Sequence, residues 1–137
     1  MFLSKEEAKE IFETLSEEEQ KILTPGNHLF KNDNALFIVG NENCFVEVVK
    51  HFKEKNTAYI NIGVKSNARG YGLGQQFVME AVENMKNFGI EKMMYIASKE
   101  NKSSCRLAQK LKDFKEVENY SKEKRCWIFS SNPAPES

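Results

Sequence analysis

The chain has 137 residues, with 20 acidic and 20 basic side chains and a formal net charge of zero. That length fits one domain with a core of its own. A balanced charge gives no bulk attraction to nucleic acid or to an anionic membrane, and no apolar run is long enough to cross a bilayer.

We therefore expect no nucleic-acid partner, no membrane partner and a cytoplasmic location. The opening MFLSKEEAKE is acidic and amphipathic, unlike a secretory leader. Cys44, Cys105 and Cys126 are odd in number and scattered, and His28 and His51 stand apart from them. Three reduced thiols are expected, with no disulfide framework and no metal site.

Ser4 to Leu15 reads as a helix. Ser4 and Glu7 form a capping box, and Ala8, Ile11, Phe12 and Leu15 make one apolar stripe. Ser16 and Glu19 repeat the box for a short second helix to about Leu23, stopped by Thr24-Pro25-Gly26-Asn27. Glu17, Glu18 and Glu19 suit a first helical turn, where carboxylates complement the dipole, and need no chemical role. Met1 to Leu3 is too short to be read as a strand.

Strand candidates follow at His28–Lys31, Ala35–Val39 and Cys44–Phe52, separated by turns at Asn32–Asn34 and Gly40–Asn43. These are hairpin spacings, so antiparallel neighbours are expected. The charged turn Lys53–Asn56 leads into Thr57–Val64. There Ala58, Ile60, Ile62 and Val64 alternate with Thr57, Tyr59, Asn61 and Gly63, the period of a strand with one face more buried.

Arg69-Gly70-Tyr71-Gly72-Leu73-Gly74 comes next. Leu73, Phe77, Val78, Ala81, Val82, Met85 and Phe88 then recur at helical spacing, and Gly89 is a natural stop onto which Ile90 can pack. The order is strand, glycine-rich turn, helix. Glycines open backbone conformations closed to other residues and let a ligand approach. The first amides of the helix lack internal partners, and with the dipole they favour an anion, above all a phosphate. Arg69 adds a positive charge. A bare GxGxG can also be no more than a tight corner. No Gly-Lys-Ser/Thr follows, which excludes a P-loop, and the spacing fits a dinucleotide fingerprint poorly.

Lys92–Ala97 is an apolar strand one helix later, so it should run parallel to Thr57–Val64. A helix from about Lys102 carries Leu107, Ala108, Leu111 and Phe114. Lys115–Val117 and Arg125–Ser130 read as a hairpin around a polar turn. The expected organisation is one domain over residues 1–130 with a loose tail, SNPAPES, over 131–137. Cys105, on the second of these helices, is better explained as an apolar filler than as a nucleophile.

The stretch from Val64 through Arg69-Gly70-Tyr71-Gly72-Leu73-Gly74 into a long helix resembles the acyl-CoA loop of the GNAT superfamily, the Gcn5-related N-acetyltransferases, whose signature is Arg/Gln-x-x-Gly-x-Gly/Ala between a strand and a helix. A second likeness runs from Asn101 to Phe114. Asn101, Ser104, Leu107 and Phe114 match the family's Asn-initiated helix, while its frequent Tyr aligns with Ala108 and its Gly with Lys112-Asp113. The element order is similar to the family's over nearly the whole chain.

This resemblance implies an α+β fold with a mixed sheet flanked by helices and acetyl-CoA as cofactor. The activity it implies is N-acetyl transfer to a primary amine, on a small molecule or a peptide, by direct attack in a ternary complex. It implies cofactor contacts from Ile62, Gly63, Val64, Arg69, Gly70, Tyr71, Gly72, Leu73, Gly74, Gln75, Asn101 and Ser104.

A protonated amine must lose its proton before it attacks, and amides where two parallel strands splay can stabilise the oxyanion. The position where some members carry a basic carboxylate is Asn56. The remaining candidates for the base are Glu47, His51 and Tyr59. Self-association as a homodimer stays open. A sensor module that binds acyl-CoA without catalysis is the alternative, motivated by Ala108 and Asn56. A nucleotide-binding regulatory domain would rest on the glycine loop alone.

Overall fold

The computed structural model describes residues 1–23 and 35–131. Six strands form one mixed sheet in the order β1-β2-β3-β4-β6-β5, namely β1 (Ala35–Gly40), β2 (Cys44–Lys50), β3 (Thr57–Val64), β4 (Lys92–Ser98), β5 (Lys115–Glu116) and β6 (Lys124–Ser130). The helices are α1 (Lys5–Glu13), α2 (Glu17–Leu23), α3 (Leu73–Asn84) and α4 (Lys102–Lys110). Among the described residues the elements follow the order expected from the sequence. The expected strand at His28–Lys31, the stop at Thr24–Asn27 and the turn at Asn32–Asn34 lie outside the described residues. So does the tail beyond Ser131.

Helix α1 opens on a reciprocal capping box. Ser4 Oγ accepts from the Glu7 amide at 3.1 Å and the Glu7 carboxylate accepts from the Ser4 amide at 2.9 Å. The second box closes differently. The Glu19 amide donates to Ser16 Oγ at 3.2 Å, but its carboxylate accepts from the Ser16 hydroxyl at 3.0 Å rather than from the backbone.

Two departures from the sequence reading concern strand ends. Met1–Leu3 does pair: Phe2 bridges Val39, and the Leu3 amide donates to the Ile38 carbonyl at 2.8 Å. A segment this short is held by its neighbour rather than by its own pattern. Conversely, β2 stops at Lys50 instead of Phe52. His51 Nδ1 accepts from the amides of Lys53 and Glu54 at 3.0 and 2.9 Å, which turns the chain away from the sheet.

One sheet face carries Val39, Val46, Val48, Ala58, Ile60, Met93, Tyr95 and Trp127, packed on Phe77, Val78, Ala81 and Met85 of the α3 segment and on Cys105, Ala108 and Leu111 in and beyond α4. The other carries Ile38 and Phe45 against Ala8 and Ile11 of α1. Helix α3 tightens to a 3-10 turn at Met85–Phe88. Gly89 ends it at φ +72°, and the buried Ile90 returns its amide to the Met85 carbonyl at 3.0 Å. Phe88 instead lies half-exposed, stacked on Phe37 at 4.3 Å between centroids.

Strands β3 and β4 are parallel, but their ladder comprises only Thr57–Lys92, Ala58–Met93 and Tyr59–Met94. Beyond it β3 stays paired with β2 as far as Val64, and β4 with β6 as far as Ser98. The two strands therefore separate toward their C-terminal ends.

Gly63 is fixed by the same sheet: a Cβ there would lie 2.3 Å from Phe45 Cε1. Overpacking of this kind costs about 1–3 kcal/mol. Gly63→Ala should lower the unfolding free energy in urea by that amount, and an unchanged midpoint would contradict this packing.

Candidate active site

The loop that follows β3 makes a 3-10 turn at Ser66–Ala68 and then runs through Arg69 to Gly74 into α3. Gly70 and Gly72 hold φ of +86° and +77°, and a Cβ at either would meet no atom within 4 Å. Their requirement is conformational. Gly74 serves packing: a Cβ there would lie 2.8 Å from Leu107 Cδ2, so its absence lets α3 approach α4. Gln75 Nε2 donates to the Lys110 carbonyl at 3.4 Å across the same pair of helices.

The first bond of α3 runs from the Gln76 amide to the Gly72 carbonyl at 3.0 Å. No main-chain N–H from Arg69 to Gln75 donates to another group among the described residues. Gly72 caps the helix without a side chain. This end of α3 therefore presents a run of unspent amides together with the positive end of the dipole. Arg69 does not stand free at its mouth. Its guanidinium donates twice to the Val64 carbonyl and pairs with the Glu19 carboxylate. Tyr71 projects into solvent, 80% exposed.

On the far side of the opening, Asn101 caps α4, its side-chain oxygen accepting from the Ser104 amide and the Ser103 hydroxyl, both at 3.2 Å. Ser104 is engaged by Tyr95. The phenol donates to the Ser104 carbonyl at 2.9 Å and shares a hydrogen with Ser104 Oγ at 2.7 Å. Burial pushes the Tyr95 phenol up to about 12, against a smaller opposing effect of the Ser104 bond. Tyr95 escaped the sequence reading. The available signal was a lone polar tip inside the apolar run MMYIA, which needs a partner when buried.

The α1 face of the sheet carries the candidates for the base. Glu47 on β2 is 1% exposed, and its Oε1 accepts from Asn61 Nδ2 at 3.1 Å, the two being directly opposite in the β2–β3 ladder. Tyr59 lies on the same face, two cross-strand pairs along, and its phenol is raised chiefly by burial, then by Tyr120, Glu54 and Cys126. His51 stacks on Tyr59 at 4.7 Å and on Phe52 at 5.0 Å. Its Nδ1 already accepts two amides, so the neutral ring carries its proton on Nε2 and offers no free lone pair. The structure thus brings Glu47 and Tyr59 together on one face, with Asn61, and assigns His51 to the turn.

The sequence model of the GNAT acetyltransferase family matches residues 3–114. The chain belongs to the GNAT acetyltransferase family. No curated protein sequence matches it. Among solved structures it is similar to the GNAT domain of S. lividans PAT, at 10% identity over 95% of this chain and 88% of that one, with a TM-score of 0.73. An N-acetyltransferase from Staphylococcus aureus Mu50 gives 15% identity, 96% and 97% coverage and a TM-score of 0.68. The Salmonella typhimurium protein yncA, solved with its cofactor acetyl-CoA, gives 11%, 100% and 95%, and 0.67. At these identities the likeness concerns the fold.

Within this GNAT domain, Ala108 is fully buried among core side chains and can do no proton chemistry. No helix among the described residues is long and apolar enough to cross a membrane. The thiols are held inside. Burial raises Cys44 to about 12 and Cys126 to about 11, and Cys105 Sγ lies 3.5 Å from the Ser98 carbonyl.

All three thiols are buried, and a buried thiol is a poor nucleophile. At about pH 8 the native protein should react with an aromatic disulfide reagent only at the rate of unfolding, and in urea all three thiols should titrate at once. Rapid labelling of native protein would contradict this arrangement.

Proposed function

We propose that the protein transfers an acetyl group from acetyl-CoA to a primary amine. The observation that carries this reading is the run of unpartnered amides from Arg69 to Gln75, set beside the separating ends of β3 and β4. The coenzyme fits these residues. Gly70 and Gly72 leave open space where a side chain would stand, and the amides with the α3 dipole suit a diphosphate. Leu73, Gly74 and Gln75 belong to the same turn, and Tyr71 flanks it. The parted edge of β3 at Ile62, Gly63 and Val64 would receive the pantetheine arm, with Asn101 and Ser104 at the facing end of α4.

The coenzyme supplies an activated acetyl thioester. The chain must then orient the amine and take its proton. Glu47 is the preferred base, because it is a buried carboxylate held by Asn61 on the sheet face beside the opening. Tyr59 borders the same space and shapes it. A thiol ionises at about pH 8.5, so the leaving group can depart without an acid at Ala108. The amine belongs to a small molecule or a peptide. On this reading residues 1–130 form the catalytic domain, 131–137 are an appendage, and the enzyme works in the cytoplasm.

The test has two parts. Acetyl-CoA at about 100 times its dissociation constant should stabilise the fold by about 2.7 kcal/mol, read as a rise in melting temperature. A panel of amines should then release thiol from acetyl-CoA, and Glu47→Gln should lower kcat about 100-fold or more while leaving coenzyme binding intact. Absence of any stabilisation would overturn the reading. Stabilisation without thiol release for any amine would favour a non-catalytic acyl-CoA sensor, for which Ala108 and Asn56 speak.

A further inference from the structure

Arg69 is the first residue of the glycine motif, and its side chain folds back on the strand it follows. Nε and Nη2 donate to the Val64 carbonyl at 3.2 and 3.1 Å. These bonds close the loop around the Ser66–Ala68 turn and fix where the run of unpartnered amides begins. Nη2 also pairs with Glu19 Oε2. The other oxygen of Glu19 accepts from the Ser16 hydroxyl at 3.0 Å, and the Glu19 amide donates to Ser16 Oγ at 3.2 Å. A continuous chain of contacts therefore runs from the start of α2 through Glu19 and Arg69 to the end of β3.

We propose that Glu19 and Arg69 form a strut that positions the coenzyme loop against α2, with Arg69 acting as a positioning residue and not as a phosphate ligand. This rests on the reading that the loop receives the diphosphate of coenzyme A. The guanidinium spends two of its donors on Val64 and has its charge balanced by a carboxylate. What it contributes is the placement of the amides from Gly70 onward. Glu19 carries that placement to the first turn of α2.

Electrostatics and positioning predict opposite signs. If Arg69 bound phosphate directly, Glu19 would be a competing anion, and its removal would tighten coenzyme binding. If Glu19 holds the strut, its removal loosens the loop and weakens binding, although a negative charge has been taken away from an anion site. Substitutions of Arg69 separate the roles again. A glutamine places its Nε2 where Arg69 Nε stands and can donate to the Val64 carbonyl without charge. A lysine keeps the charge but replaces the planar fork with a single ammonium on a flexible stem.

Calorimetric titration of the full chain with coenzyme A tests the strut, with melting temperatures of all variants checked for an intact fold. Both side chains are substantially exposed, 45% for Arg69 and 35% for Glu19, so the variants should fold. Glu19→Ala should raise Kd about 2- to 5-fold, the range open to an exposed ion pair. Arg69→Gln should retain binding better than Arg69→Lys. Tighter or unchanged binding in Glu19→Ala, or lysine outperforming glutamine, would overturn the strut while leaving the coenzyme site standing. No heat with the unsubstituted protein would overturn both the strut and the site.

Discussion

Strands β3 and β4 are hydrogen-bonded to each other only from Thr57–Lys92 to Tyr59–Met94. Each then keeps its other neighbour, β2 for β3 and β6 for β4, to its own C-terminal end. A sheet that parts between two parallel strands exposes main-chain edges in its middle, where such edges are ordinarily satisfied. The glycine turn leaves β3 at one side of this parting, and α4 begins at the other. In open α/β sheets, ligands bind outside the carboxyl ends of strands, and here the amides of the turn and the separated strand edges fall at such an end.

The two faces of the sheet divide the work. The face under α3 and α4 is apolar and closed, and its one phenol is satisfied by Ser104. Gly74 lets those two helices meet, and Gln75 bonds across them, so the amide run begins where α3 packs on α4. The face under α1 admits polar groups: the Glu47–Asn61 pair, Tyr59 and the His51 stack. Burying a carboxylate is costly unless hydrogen bonds hold it, and Asn61 supplies such a bond directly across the ladder.

Much of this was legible in the sequence because its signals are local. Period-2 alternation in Thr57–Val64, the helical stripe from Leu73 and the capping box at Ser4 each depend on neighbours in the chain. So does the stop at Gly89, whose φ is +72°. What was not legible depends on contacts distant in sequence. Met1–Leu3 bridges the edge of β1 only because Ile38 accepts from the Leu3 amide and the Gly40 amide donates to the Met1 carbonyl. The engagement of His51 Nδ1 by two turn amides depends on the backbone path after β2. The pairing of Arg69 with Glu19 joins residues 50 apart in the chain. Asn61 as the partner of Glu47 required the register of β2 against β3, which spacing alone leaves undetermined. The GxGxG motif showed that three glycines mattered, but not that Gly70 and Gly72 serve conformation while Gly74 serves packing.

The central claim is that the main-chain amides between Arg69 and Gln75 hold the diphosphate of coenzyme A. Backbone amide resonances followed by NMR during a coenzyme A titration report on those groups directly. The account predicts that the largest shifts cluster at Gly70 to Gln75 and spread to Ile62–Val64 and to the Asn101 end of α4. Shifts confined to other regions, or saturation of binding with the Gly70, Gly72 and Gly74 amides unmoved, would contradict it.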